Sequence, residues 1–266
     1  MMCLTSGQHS TKKQDWNKAL PHTFQPYRNA VLEECGNTCD SLIKCGSLSP
    51  ESRMKCYRNN CTDAHQNLLL EAKIFKEYSS NEEFFMLWRN DRAVIVGKNQ
   101  VLENEVDLAY AQEQNIKIVQ RITGGGAVYH DLGNVNYTYI GKKASEFGNF
   151  LAFAMPIIEF LHTLGVKARH LGKNDIGIGD RKISGNAQAV RGEYILHHGT
   201  LLFDADVSVM EKVLTPDPEK LSNKGIRSVR SRVCNLSEYV EMSRDEFWER
   251  ICAYFQAENI RDNVVC

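Results

Sequence analysis

The sequence lacks an apolar run long enough to cross a membrane and a leader of the secretory type. The most apolar stretch, residues 147–165, is interrupted by polar residues and a proline, namely Asn149, Pro156, Glu159 and His162. A membrane-spanning helix needs about 20 apolar residues in succession. Near the N-terminus, Lys12 and Lys13 stand where a signal peptide would carry its apolar segment. We therefore expect a cytoplasmic protein without a membrane partner.

An excess of charge of one sign is also missing. The 32 lysines and arginines nearly balance the 33 aspartates and glutamates, and the net charge is -1. Such a chain has no bulk attraction for nucleic acid, so no nucleic-acid partner is expected. With 42% hydrophobic and 24% charged residues, the composition is typical of a globular protein. We predict a catalytic domain over residues 63–266, preceded by an extension of different composition at residues 1–62.

Cysteine pairs of the C-x-x-C type are absent, although the chain has 9 cysteines. Five of them are crowded into the predicted extension: Cys35, Cys39, Cys45, Cys56 and Cys61. In a reducing compartment these are thiols or metal ligands and not disulfides. The crowding predicts a Zn²⁺ or iron–sulfur site or a redox role, with His65 either as an additional ligand or as an ordinary surface histidine. The alternative is helical packing or disorder of this segment.

The pattern of apolar residues changes from residue 64 onward. Leu70, Ile74 and Tyr78 recur at four-residue steps and predict an amphipathic helix over 66–78, with its charges on the other side. Short β-rich runs predict strands at 84–88, 93–97, 116–122 and 134–140, and a meander of three strands over 175–203. Further helices are predicted at 152–164, with Pro156 kinking the helix or lying in its first turn, and after the Ser243 capping box. Strand pairs mixed with helices favour an α+β fold.

The glycine-rich segment at residues 121–134 matches neither a Walker A motif nor a GxGxxG motif, because a predicted strand follows it instead of a helix. The consecutive glycines Gly124, Gly125 and Gly126 allow the backbone to approach a ligand, and their N–H groups can converge on an anion. Arg121 offers a planar charged fork for a carboxylate or phosphate. The alternative is a flexible hairpin loop.

Two more segments combine polar and small residues. Lys182 lies in a predicted strand with Ser184, Gly185 and Ala187, where its charge could offset that of a carboxylate or of a phosphate during adenylation. The alternative is a solvated strand lysine among tightly packed small residues. His198 opens the run His-Gly-Thr-Leu-Leu and is a candidate for catalysis, for metal binding or for a structural role.

Together these segments resemble the catalytic domain of the lipoate–protein ligase A family. The family signatures are Arg-x-Ser/Thr-Gly-Gly-Gly-Ala-Val-Tyr-His-Asp-x-Gly-Asn, matched at 121–134, Asn-Asp followed by Lys-x-Ser-Gly-x-Ala, matched at 174–187, and His-Gly-Thr-Leu-Leu, matched at 198–202. Their order and spacing agree, and the resemblance covers roughly residues 63–255. It implies the biotin/lipoate protein ligase catalytic-domain fold, an α+β arrangement of mixed and antiparallel sheets flanked by helices.

The resemblance implies an enzyme that uses ATP and Mg²⁺ to activate lipoate to lipoyl-AMP. The lipoyl group then passes to a lysine of an acceptor lipoyl domain or of a glycine-cleavage H protein. Lys182 matches the family's essential catalytic lysine, which contacts the substrate carboxyl oxygen and the adenylate phosphate, and Asp175 is the candidate Mg²⁺ ligand. The matched substrate- and ATP-binding positions are Arg121, Gly124, Gly125, Gly126, Ala127, His130, Asn134, Asn174, Asp175, Ser184, Gly185, Ala187, His198, Gly199 and Thr200.

Two departures from the family pattern shape this hypothesis. Only about 30 residues follow Asn235, where many ligases of the family carry a C-terminal accessory domain. We therefore expect either a separate accessory subunit or a chain that performs transfer alone. Related octanoyl and lipoyl transferases place a cysteine nucleophile before the lysine segment, but here residues 171–174 are Leu-Gly-Lys-Asn, which favours a ligase. A third alternative, a non-catalytic lipoyl-binding regulatory protein, fits less well with the presence of Arg121 and Lys182.

Overall fold

The computed structural model describes residues 54–214 and 233–260, which form two sheets and five α-helices. The strands are β1 (Met54–Asn59), β2 (Glu83–Trp88), β3 (Ala93–Val96), β4 (Lys117–Gln120), β5 (Val128–His130), β6 (Asn134–Gly141), β7 (Ala168–Leu171), β8 (Asp175–Ile178), β9 (Arg181–Arg191), β10 (Tyr194–Leu202) and β11 (Glu258–Asn259). The helices are α1 (Ala64–Glu77), α2 (Leu108–Glu113), α3 (Phe150–Thr163), α4 (Val207–Val213) and α5 (Arg244–Tyr254). None of these helices combines the length and the apolar composition that crossing a bilayer requires.

The large sheet has the strand order β11-β1-β2-β6-β10-β9-β8-β7, and the small sheet has the order β4-β3-β5. In the large sheet β1 is parallel to both of its neighbours, whereas the strands from β2 to β7 pair in antiparallel fashion. In the small sheet β3 is parallel to β4 and antiparallel to β5. The mixed sheets and their flanking helices confirm the predicted α+β fold.

Helix α1 begins after Asp63, whose side chain accepts a hydrogen bond from the Gln66 N–H and so satisfies one of the unpaired donors of the first turn. Leu70 and Ile74 are buried as their spacing predicts. The prediction that the charges of this helix lie on its exposed side is wrong for Glu71, which is 1% exposed. Its carboxylate is buried because it accepts hydrogen bonds from polar side chains of the large sheet.

Helices α3 and α5 cover one face of the large sheet. Phe160 and Phe247 pack against each other between them and join the main hydrophobic core with Tyr137 of β6. Pro156 lies in the interior of α3 and not in its first turn. In α5 the Ser243 side chain accepts a hydrogen bond from the Glu246 N–H. Because these helices occupy one face, the polar residues on the other face of β6 and β10 can contribute to the candidate site.

Strand β1 lies within the predicted extension, yet it is part of the large sheet. It pairs with β2 from Met54 opposite Glu83 to Asn59 opposite Trp88. Cys56 of this strand packs against the main core, and burial raises the pKa of its thiol to about 11. Cys35, Cys39 and Cys45 lie outside the described residues, as do the other residues before 54.

Candidate active site

A cavity of about 190 Å³ is lined by residues of both sheets and of the glycine-rich loop. Twelve of the residues predicted from the sequence line it: Arg121, Gly125, Gly126, Ala127, His130, Asn174, Lys182, Gly185, Ala187, His198, Gly199 and Thr200. Four predicted residues, Gly124, Asn134, Asp175 and Ser184, are not part of the cavity wall. Segments that are far apart in the sequence therefore meet around one cavity.

Arg121 holds the glycine-rich loop in shape. The guanidinium donates to the carbonyl oxygens of Gly124 and Gly126, each at 2.8 Å, and to that of Ile95 at 3.0 Å. Gly125 between these carbonyls has a φ of 98°, which residues with a side chain rarely adopt. Burial lowers the pKa of Arg121 to about 10, so the side chain remains a cation near neutral pH. Most of the N–H donors of Arg121 are hydrogen-bonded to protein acceptors. Arg121 therefore shapes the loop that faces the cavity.

Lys182 forms an ion pair with Asp175. Its Nζ lies 2.8 Å from Oδ1 of Asp175, and the side chains of the lysine and the aspartate are 27% and 6% exposed. In a regular strand Lys182 and Gly185 would face opposite sides because side chains alternate. A register shift between β8 and β9 at Ile176/Gly177 inserts an extra residue on β9, and bulges of this kind redirect side chains. A Cβ built on Gly185 would lie only 2.7 Å from Nζ of Lys182, so this glycine leaves the space that the lysine occupies.

Asn174 is tied to β9 by three hydrogen bonds. Its Nδ2 donates to the Asn186 carbonyl at 2.7 Å, and its own carbonyl accepts from the N–H and from the Nδ2 of Asn186, each at 2.9 Å. This clamp fixes the chain directly before Asp175. Ser184 lies on the other face of β9, where its Oγ is 3.4 Å from the Tyr137 hydroxyl. It supports the strand from the core side.

A buried network behind the cavity connects α1 to the glycine-rich loop through His198. The Glu71 carboxylate accepts from Oγ1 of Thr138 at 2.6 Å and from Nδ1 of His198 at 3.0 Å. Nε2 of the same imidazole lies 2.8 Å from Oγ1 of Thr123, which in turn accepts from Nε of Arg121. His198 thus has a positioning role in this arrangement, and both of its ring nitrogens have protein partners.

Several residues of the cavity wall were not predicted from the sequence: Leu68, Trp88, Ile95, Val128, Asn136 and Asn186. Most of them are apolar, or they lie in strands for which the sequence predicted the secondary structure but no functional residue at these positions. The buried Glu71 has a signal in the sequence, because it follows Asn67 by four residues and so lies on the same helix face. Both residues are buried, and two polar residues beside an apolar stripe indicate a polar contact inside the protein.

The charged residues around the cavity fit only part of the predicted metal chemistry. Among residues 54–214 and 233–260, no cluster of three or more His, Cys, Asp or Glu side chains could hold a metal ion. Asp175 supplies one carboxylate beside the cavity, and Mg²⁺ in nucleotide sites is commonly held by one or two carboxylates together with substrate phosphates. Asp175 therefore fits a Mg²⁺ that arrives with ATP. The cysteine-based site stays a prediction, since three of its five residues are outside the described part of the chain.

Residues 63–256 match the family described as the lipoyl protein ligase A/B catalytic domain. The lipoate-protein ligase LplJ of Bacillus subtilis (strain 168) is 39% identical over 208 residues, which are 77% of this chain and 63% of that protein. A structure of a bi-partite lipoate protein ligase and its E2 lipoyl domain from Thermoplasma acidophilum is 29% identical with a TM-score of 0.69, covering 80% of this chain and 89% of that chain.

A further structure, of a lipoate-protein ligase A bound with ATP, is 27% identical with a TM-score of 0.66 and covers 81% of this chain and 91% of that chain. The chain spans between 54% and 63% of the length of the curated relatives it matches. The match to the family description covers most of the chain and includes the whole cavity wall. The chain therefore belongs to the lipoyl protein ligase A/B catalytic domain family.

Proposed function

We propose that this protein is a lipoate–protein ligase, which joins lipoate to AMP at the expense of ATP and then transfers the lipoyl group to a lysine of an acceptor protein. The observation that carries the proposal is the Lys182–Asp175 ion pair at a cavity whose wall also contains the glycine-rich loop and the apolar side chains of Leu68, Trp88 and Ile95. A cation beside an apolar cavity suits an acid with a long apolar tail.

The proposed chemistry has two steps. A carboxylate oxygen of lipoate attacks the α-phosphorus of ATP, pyrophosphate leaves, and an acyl adenylate forms. The acceptor lysine amine then attacks the acyl carbon, loses a proton, and displaces AMP. Lys182 offsets the negative charge that develops on the phosphate and on the acyl oxygen, and such stabilisation is strongest in a site shielded from water. Asp175 holds the lysine in position, and the described residues supply no thiol at the cavity wall for an acyl-enzyme route.

ATP as the second substrate is supported by the similarity to the lipoate-protein ligase A bound with ATP. Mg²⁺, held by Asp175 together with the ATP phosphates, would neutralise part of their charge. The acceptor class is supported by the similarity to the bi-partite ligase described together with its E2 lipoyl domain. We propose a lipoyl domain as the acceptor, with the glycine-cleavage H protein as the second acceptor to test.

The test is a mass-spectrometric assay of the purified chain with lipoate, Mg·ATP and a lipoyl domain. We expect a lipoyl mass increment on the acceptor that requires ATP and disappears in Lys182→Ala. The matched control is Lys173→Ala, because Lys173 is an exposed lysine of the neighbouring β7–β8 turn and its loss should leave the increment intact. An increment that persists in Lys182→Ala, or that forms without ATP, would contradict the proposed mechanism.

A second candidate function is transfer from preformed lipoyl-AMP, with a separate polypeptide performing the activation. The similarity to a bi-partite ligase, across 89% of that chain, favours testing it. Synthetic lipoyl-AMP is supplied in place of lipoate and ATP. Transfer from lipoyl-AMP but not from lipoate and ATP would identify a chain that performs transfer alone. No transfer from either donor would favour the alternative of a non-catalytic lipoyl-binding protein.

A further inference from the structure

The orientation of the Asn186 side-chain amide is fixed by a backbone carbonyl. Its Nδ2 donates to the carbonyl oxygen of Asn174 at 2.9 Å, and a carbonyl oxygen only accepts. The other end of the amide, Oδ1, accepts a hydrogen bond from the buried hydroxyl of Tyr137. One side chain of β9 therefore connects the main core to the residue that precedes Asp175.

A second line of hydrogen bonds reaches the same oxygen from the chain before α3. The backbone N–H of Gly148 donates to Oε1 of Gln188 at 2.8 Å, which fixes the Gln188 amide. Its Nε2 faces Nδ1 of His197 at 3.1 Å, so Nδ1 must accept and a neutral imidazole carries its proton on Nε2. That nitrogen lies 3.1 Å from Oδ1 of Asn186. The two ends of this line, Gly148 and Asn174, thus require the same direction for every bond.

The imidazole of His197 stays in this neutral form at physiological pH. Burial, and secondarily His198, lowers its pKa to about 3. Both ring nitrogens then have the partners that the neutral form requires. Asn186, Gln188 and His197 are each at most 8% exposed, and buried polar networks whose members are all paired are rigid. The amide of Asn186 is therefore held in one position by the protein itself.

The neighbouring strand leaves space for this amide. Gly199 of β10 is opposite Asn186 of β9, and a Cβ built on Gly199 would collide with Oδ1 of Asn186. The signature Lys-x-Ser-Gly-x-Ala leaves position 186 unspecified, although Asn186 is part of the cavity wall. The contribution of this residue is therefore visible only in the structure.

We propose that Asn186 is a positioning residue of the reaction, because its amide holds Asn174 and thereby sets the position of the Lys182 ammonium group. Asn174 directly precedes Asp175, whose Oδ1 lies 2.8 Å from Nζ of Lys182. On the facing strand Asp175 is opposite Gly185, the neighbour of Asn186. The inference rests on the proposed function, in which the charge of Lys182 stabilises both transition states.

The first test is steady-state lipoyl transfer by Asn186→Ala. Two hydrogen bonds from the backbone of residue 186 to Asn174 remain in this variant, so the displacement should be well below 1 Å and kcat should fall about five- to twenty-fold. KM for lipoate should stay within about two-fold of the wild-type value, since the loss falls on the transition state. The matched control is Ser243→Ala, which lowers stability by removing the cap of α5 and should keep the wild-type kcat.

The second test follows Lys182 without turnover. The ¹³Cε NMR signal of Lys182, assigned by its absence in Lys182→Ala, reports the surroundings of the ammonium group, and Asp175→Asn gives its position when the ion pair is lost. In Asn186→Ala the signal should move towards that position, whereas Ser243→Ala should leave it in place. Tyr137→Phe removes only one donor to Oδ1 and serves as the milder variant, with a smaller shift. Thermal unfolding shows whether each variant is folded.

A Lys182 signal that does not move in any folded variant of Asn186 or Tyr137 would overturn the proposal. A rise in KM without a loss of kcat would do so too, because it would identify a direct contact with the substrate. In the wild-type protein ¹⁵N NMR should show the His197 proton on Nε2, and a proton on Nδ1 would contradict the orientation of the amide whatever the variants do. If the Lys182 signal moves as expected but the wild-type protein transfers no acyl group from lipoate and ATP or from lipoyl-AMP, the proposed function fails while the positioning stands.

Discussion

Replacing Gly185 by alanine is expected to reduce activity without reducing stability. The added Cβ would lie 2.7 Å from Nζ and 3.0 Å from Cε of Lys182, which is closer than these atoms can approach. The side chain in conflict is the end of a flexible lysine, so the strand can keep its position while the ammonium group moves. A displacement of about 1 Å at a reacting group can lower the rate on the order of 100-fold. The loss of a glycine also restricts the unfolded chain and stabilises the fold by about 0.4–1 kcal/mol.

Gly199→Ala is the matched control, since the same methyl group is added on the neighbouring strand. There the Cβ would lie 2.1 Å from Oδ1 of Asn186 and 2.4 Å from the hydroxyl of Tyr137. Both of these side chains are buried and have little room to move. Overpacking of this kind costs about 1–3 kcal/mol, which corresponds to a decrease in Tm of roughly 2–12 °C for a domain of this size.

The assay combines thermal unfolding with steady-state lipoyl transfer for the two variants. Gly185→Ala should raise the Tm by about 1–4 °C and lose at least about ten-fold in kcat/KM. Gly199→Ala should lower the Tm. Full activity of Gly185→Ala would refute the reasoning, because it would mean that the position of the Lys182 ammonium group does not limit the reaction. A large loss of Tm in Gly185→Ala would show that the conflict is with the backbone.

Two further predictions concern buried groups. Arg121→Lys removes the donors to Gly124 and Gly126, so kcat/KM for lipoate should fall at least about ten-fold in steady-state assays, and an unchanged value would contradict the role of the guanidinium in shaping the loop. Burial, and secondarily His198, lowers the pKa of His197 to about 3. As pH falls from about 6.5 towards 3, only the unfolded chain takes up this proton, and stability decreases by about 1.4 kcal/mol per pH unit. His197→Asn should reduce this slope in denaturant unfolding between pH 6 and 4, and an equal slope would contradict the assignment.

The sequence by itself determined the family, the strands around the glycine-rich loop and most of the residues at the cavity. Motifs such as residues 121–134 and 198–202 are local. Their glycines, charges and apolar alternation can be recognised in the sequence without knowledge of the fold. Helix α1 was predicted within two residues at its start because its apolar spacing is also a local signal. These features depend on neighbours in the chain and are therefore readable from it.

The tertiary structure alone decided which of these residues share a face and what each one contacts. Glu71 was predicted on the exposed side of its helix, but the polar partners that justify its burial, Thr138 and His198, come from strands far along the chain. The register shift that brings Lys182 beside Gly185 and Asp175 is a property of strand pairing. The unpaired Nε2 of the buried His130 becomes visible only when every other possible partner has a position, since a hydrogen bond depends on distance in space and not on spacing in sequence.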